Sequence, residues 1–123
     1  MTLYESGENY LETILILKER IGRVRSIDVA GELGFSKPSV SRAIGILKKD
    51  GLVTTDSDGF LELTPSGLRH ASSVYDRHKV IAGYLNTVLG VDRAVALEDA
   101  CRIEHVISEE SFSKMKEKMK IDK

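Results

Sequence analysis

Residues 26–53 read SIDVAGELGFSKPSVSRAIGILKKDGLV, and the arrangement of small, capping and apolar residues in this stretch decides the fold. Ser26 is a good N-cap for a helix over 27–33, with Asp28 in its first turn where the helix dipole favours an acid. Gly34 closes that helix. Ser36 can cap a second helix over 37–49, in which Pro38 is tolerated in the first turn. Val40, Ala43, Ile44 and Leu47 give this helix an apolar stripe, and Gly51 ends it. Ala30 is small where the two helices must approach, and Gly34 occupies the sharp turn between them. The pattern is that of a helix-turn-helix. Its second helix shows solvent a row of Lys37, Ser39, Ser41 and Arg42 near the amino end, the part of this motif that faces base edges in the major groove. Arg42 can donate two hydrogen bonds to a guanine. Ser26 and Ser39 can hold phosphates through hydroxyls and helix-start amides. The bland alternative is a three-helix core with solvated charges; the acid-free start of the second helix and the hairpin that follows favour DNA.

Outward from this stretch, Tyr10, Leu11, Ile14, Leu15, Leu17 and Ile21 recur near a 3.6 period and predict a helix over 6–21. Residues 52–55 and 60–63 predict two short strands joined by Asp56-Ser57-Asp58-Gly59, a hairpin with its turn chemistry in place. Thr64 followed by Pro65 opens a long helix to about Leu89. Asp92 starts another through about Ile107, and Ser108 caps a last one over 109–119. The fold class is therefore mainly α with a small β-hairpin wing: a winged helix-turn-helix followed by a helical domain. The division falls at 1–64 and 65–123.

The bulk numbers set the limits. The chain has 123 residues, 41% hydrophobic and 30% charged, with a net charge of −1. A constitutive nucleic-acid binder is usually basic, since phosphate neutralisation supplies most non-specific affinity. Here the distribution matters more than the total. Lys37, Arg42, Lys48 and Lys49 cluster in one stretch, whereas Glu98, Asp99, Glu104, Glu109 and Glu110 gather in another. A near-neutral chain with one basic face and one acidic cluster suits a DNA binder that requires a cation. Cys101 is the one cysteine, so no intrachain disulfide forms and a reducing compartment is the natural reading. No stretch reaches ~20 consecutive apolar residues, and MTLYESGENY has no signal-peptide character. The expectation is a cytoplasmic protein without a membrane role.

The acidic cluster contains the sharper chemistry. Cys101, Glu104 and His105 stand at i, i+3 and i+4, which on a helix puts a thiol, a carboxylate and an imidazole on one face. That donor set suits a borderline-soft divalent transition metal. One helix supplies only part of a coordination shell, so His78, Asn9 and Glu12 are further candidate ligands. Each has a structural alternative: a lone Cys is usually a small core hydrophobe, and His78 or Glu12 can be plain helix-surface residues. A Cys–His nucleophile pair is the catalytic alternative, but no oxyanion hole or glycine-rich loop accompanies it. No enzyme and no organic substrate are expected.

Five stretches together resemble the diphtheria toxin repressor family of iron- and manganese-dependent transcriptional regulators. They are Tyr10-Leu11-Glu12-Thr13-Ile14, VAGELGFSKPSVSRAIGILKKDGLV (29–53), Leu63-Thr64-Pro65-Ser66-Gly67, Arg77-His78, and Glu98-Asp99-Ala100-Cys101-Arg102-Ile103-Glu104-His105-Val106. The resemblance implies a homodimeric repressor of metal-uptake genes, with an amino-terminal winged-helix domain and a helical metal-binding and dimerisation domain. It implies the short form, without the SH3-like third domain of the larger members. By matching position it implies an effector site drawn from Asn9, Glu12, His78, Cys101, Glu104 and His105, and operator contacts from Pro38, Ser39, Ser41 and Arg42. The chain departs from the family at Asn9, where the iron branch has methionine and the manganese branch aspartate. It departs again at Ala82 and Leu97, which cannot serve the iron branch's ancillary site. A thiolate at Cys101 favours Fe²⁺ over Mn²⁺, which prefers oxygen ligands. Fe²⁺ is the first choice and Mn²⁺ the second.

Overall fold

The computed structural model describes residues 5–121. Helix α1 (Glu5–Ile21) buries Leu11, Ile14 and Leu17 along one stripe, as its periodicity predicts. Helix α2 (Ser26–Leu33) begins one residue earlier than expected. Arg25 is its N-cap, because the Asp28 carboxylate accepts the Arg25 backbone N–H at 2.8 Å; Ser26 is thereby the first helical residue, not the cap. Gly34 ends the helix in the left-handed region, φ 70°, and its N–H reaches the Ala30 carbonyl at 2.9 Å. Only a residue without Cβ takes that conformation at no steric cost.

Helix α3 (Lys37–Lys49) is capped as predicted, the Ser36 hydroxyl accepting the Ser39 N–H at 3.3 Å. It buries Val40, Ile44 and Leu47 against α1 and α2. Strands β1 (Val53–Thr55) and β2 (Leu61–Leu63) pair antiparallel, with Val53 opposite Leu63 and Thr55 opposite Leu61. Each is a residue shorter than expected. Leu52 gives its N–H to the Leu47 carbonyl and its own carbonyl to Thr64, while Phe60 is tied to Asp56 in the turn. The hairpin is fastened to the helices by the Leu61 N–H on the Val24 carbonyl, 2.7 Å, and by a Lys18–Glu62 ion pair.

Helix α4 (Pro65–Gly83) starts under a Thr64 hydroxyl that accepts the Gly67 N–H at 3.0 Å. The sequence predicts α-helix to about Leu89, but Tyr84–Val88 is π-helical. The Thr87 hydroxyl donates to the Gly83 carbonyl at 2.7 Å, and the Leu89 N–H reaches back five residues to Tyr84. Local side-chain hydrogen bonds of this kind compete with the α ladder. Helix α5 (Arg93–Ile103) follows an Asp92 cap, and α6 (Glu109–Ile121) follows Ser108, whose hydroxyl accepts the Ser111 N–H.

Two compact units result, Met1–Ser72 and Ser73–Lys123. The first has an extensive apolar core in which Leu11, Ile14, Val29, Val40 and Leu61 are fully or almost fully buried. The second has a small one, Ile81, Ala82 and Ala100, supported by Leu85, Ile103, Ile107 and Met115. No helix among the described residues is long and apolar enough to cross a membrane.

Candidate metal centre and nucleic-acid interface

In the carboxy-terminal unit the expected one-face triplet is rearranged. Helix α5 stops at Ile103, so Glu104 is its C-cap and His105 lies in the following turn. The turn is tightened by a Val106 N–H on the Ile103 carbonyl at 3.0 Å. Arg77 pins it, donating to the Glu104 carbonyl at 3.4 Å and lying 3.4 Å from the Glu109 carboxylate at the start of α6. Glu104 keeps helical geometry, its N–H on the Ala100 carbonyl, and is fully buried, while Cys101 is exposed at the end of α5.

The ligand atoms brought within 4.8 Å of one another are those of His78, Cys101 and Glu104. His78 comes from α4, so a residue distant in sequence completes the trio. Its Nδ1 lies 2.8 Å from Glu104 Oε1, and its ring stacks on Tyr75 at 6.5 Å. His105 is outside the trio but beside it: its side chain is buried, with Nε2 3.8 Å from Glu104 Oε2.

A fully buried carboxylate is costly unless charge and hydrogen bonds compensate it. Among the described residues the ion-pair partners of Glu104 are these two imidazoles, and its Oε2 accepts no hydrogen bond. An orphaned buried oxygen beside an imidazole and a thiol fits a divalent transition metal. Asn9, half-buried, and Glu12, buried, lie on α1 in the amino-terminal unit.

In that unit Lys37, Pro38, Ser39, Ser41 and Arg42 are all exposed on α3, and its first turn carries no acid. The Ser39 hydroxyl is engaged with Ser36 Oγ at 2.9 Å, while Ser26 is half-buried at the start of α2. The wing is ordered by Asp56, whose carboxylate accepts the N–H groups of Asp58 and Phe60, both at 2.9 Å. The Phe60 N–H, foremost, holds the Asp56 carboxyl below its usual range; desolvation opposes it, and the Asp58 N–H and Arg23 add to the lowering.

Sequence reasoning missed one feature here. The guanidinium carbons of Arg23 and Arg25 lie 3.9 Å and 4.2 Å from the centre of the Phe60 ring. The available signal was the Arg-Val-Arg spacing, which puts both arginines on one side of an extended segment.

Comparison with known proteins places both units in one family. Residues 2–61 match the iron dependent repressor N-terminal DNA binding domain, and residues 64–121 match the iron dependent repressor metal binding and dimerisation domain. The chain is 35% identical over 108 residues to the diphtheria toxin repressor of Corynebacterium diphtheriae, covering 88% of this chain and 48% of that protein. It is 32% identical over 113 residues to an uncharacterised HTH-type transcriptional regulator of Methanocaldococcus jannaschii, covering 91% of this chain and 90% of the other. Among solved structures, the T. acidophilum IdeR crystal structure matches with a TM-score of 0.83 at 27% identity, over 98% of this chain and 55% of that one. The chain thus spans about half the length of the diphtheria toxin repressor it matches.

Proposed function

Because the chain belongs to the iron-dependent repressor family, we propose that it is a homodimeric DNA-binding regulator governed by a divalent transition-metal ion, and that it represses metal-uptake genes in the cytoplasm. The observation that carries this reading is the burial of Glu104 within reach of His78 and Cys101 in a chain that also presents an acid-free α3 start. In this reading residues 1–64 read DNA and residues 65–123 sense metal and dimerise.

His78, Cys101 and Glu104 hold the ion, with His105 against Glu104; the sequence also nominates Asn9 and Glu12. A bound cation supplies the positive charge that offsets the Glu104 carboxylate and the Cys101 thiolate. Arg77 keeps the Glu104 turn in place through its carbonyl. The thiolate makes Fe²⁺ the preferred ion and Mn²⁺ the second. Where the DNA-competent form is a minority, apparent affinity falls by that fraction, and ligand-ordered side chains restore it. Dimerisation is supported by the small core of the second unit and by three apolar residues that the same unit leaves exposed, Leu89, Val95 and Val106, at 58%, 47% and 76%.

Titrating DNA affinity anaerobically against Fe²⁺, Mn²⁺, Zn²⁺ and no metal tests the function. Tighter binding to operator sequences selected from random DNA, at least about tenfold with Fe²⁺, is expected. Equal binding by the fully stripped protein refutes metal control. For base reading, Arg42→Ala is expected to cost about tenfold or more in discrimination at one operator position, the usual value of a bidentate arginine–guanine contact. Its metal affinity stays at the wild-type value. Selection of a preferred sequence by the variant and its parent checks the first point, and a metal titration checks the second.

A further inference from the structure

We propose that Arg25 is a phosphate contact to duplex DNA, presented from the junction of the wing and α2; the proposal rests on the DNA-binding function above. Arg23 and Arg25 share the Phe60 ring, but their surroundings differ. Arg23 lies 3.6 Å from the Asp56 carboxylate and 3.8 Å from that of Asp58, so its charge is offset within the wing. Among the described residues no carboxylate forms an ion pair with Arg25.

An exposed arginine without a partner ordinarily samples many rotamers, and ordering it costs entropy. Arg25 is already confined. Its guanidinium lies over the Phe60 ring, and its Nη1 passes so close to the wing turn that a Cβ on Gly59 would meet it at 3.5 Å. Its own backbone is the N-cap of α2. A planar, uncompensated and preordered cation is the group that recognises phosphate oxygens in a fork. Its place at the start of the first helix of the motif is where such proteins meet the DNA backbone. The aromatic platform therefore sorts two neighbouring arginines into different roles: Arg23 braces the turn that Asp56 and Asp58 form, and Arg25 is left for the nucleic acid.

Salt dependence separates a phosphate contact from a structural brace. The full chain, loaded with Mn²⁺, is titrated onto a mixed-sequence duplex between about 50 and 200 mM salt. Each phosphate neutralised contributes about 0.9 to the slope of log affinity against log salt. Arg25→Gln is expected to lower the slope by that amount, so that its deficit relative to wild type shrinks ~3.5-fold across this range. Arg23→Gln is expected to keep the wild-type slope. A wild-type slope in Arg25→Gln reduces Arg25 to a brace and overturns the proposal. An equal loss in both variants overturns it too, since diffuse charge then explains the effect. A parent protein that binds no duplex overturns the DNA-binding function along with this contact, whereas parental binding with an unchanged Arg25→Gln slope overturns the contact alone.

Discussion

Glu104→Gln is expected to weaken metal binding at least ~100-fold and, in the metal-free protein, to leave the melting temperature unchanged or raise it. The two halves of this expectation have one cause. Glu104 is fully buried, and a carboxylate withdrawn from water carries a desolvation cost of several kcal/mol that its surroundings must offset. Its ion-pair partners among the described residues are the imidazoles of His78 and His105, groups without an obligatory charge, and its Oε2 accepts no hydrogen bond. Glutamine has the same shape and still meets His78 Nδ1 across the 2.8 Å gap, while the unoffset charge disappears. Removing one partner of a buried pair normally strands the other, but the His78 side chain is 20% exposed and keeps access to water. What the amide lacks is the anionic oxygen that binds a cation. Thermal melts with and without Co²⁺ read both halves. A ligand at a hundred times its dissociation constant stabilises the fold by about 2.7 kcal/mol; the parent melts higher with Co²⁺ and the variant does not. A Gln variant that is stabilised like its parent removes Glu104 from the ligand set. One that melts lower without metal makes Glu104 a structural residue.

The parts of this site that were legible in the sequence, and the parts that were not, divide along a physical line. Features set by local chemistry could be read directly. Ser36 and Pro38 mark the start of α3, Asp92 and Ser108 mark the starts of α5 and α6, and Asp56 with Gly59 mark the wing turn. Features set by competition between local and distant bonds could not. The sequence runs α5 through Ile107 because nothing in residues 104–107 breaks a helix. The helix stops at Ile103, where Arg77, from another helix, takes the Glu104 carbonyl. That stop moves His105 into the turn, while Cys101 and Glu104 stay together as the spacing expects. His78 was a candidate by residue type and by the family resemblance; its approach to Glu104 depends on tertiary packing. At the start of α2, Ser26 and Arg25 competed for the cap. Asp28 decided it by reaching the Arg25 N–H, a capping-box bond that makes no demand on the cap side chain.

Gly67→Ala is expected to destabilise the amino-terminal unit by about 3 kcal/mol, at the upper end of overpacking costs. A Cβ built on Gly67 lies 1.9 Å from the Leu52 carbonyl oxygen, 2.9 Å from its carbon and 3.3 Å from its Cα. No side-chain rotation relieves contact with backbone, so α4 or the Leu52 peptide must move. Neither is free to do so. The Leu52 carbonyl accepts the Thr64 N–H at 3.0 Å, the Thr64 hydroxyl donates to the Gly51 carbonyl at 2.7 Å, and the Leu52 N–H is bonded to Leu47. Leu52 itself is 1% exposed in the core. Any retreat therefore loses hydrogen bonds at the junction of α3, β1 and α4 together with apolar contact. For a unit of this size the expected fall in melting temperature is on the order of 10–20 °C. Gly45→Ala supplies the opposite sign within the same unit. Gly45 lies inside α3 with open space around its would-be Cβ, so alanine there is expected to stabilise by about 0.5–1 kcal/mol through helix propensity alone. If both alanines raise the melting temperature, the close approach of α4 to Leu52 is wrong; if only Gly67→Ala lowers it, the glycine of the Leu63–Gly67 stretch is there because backbone occupies the volume its side chain would need.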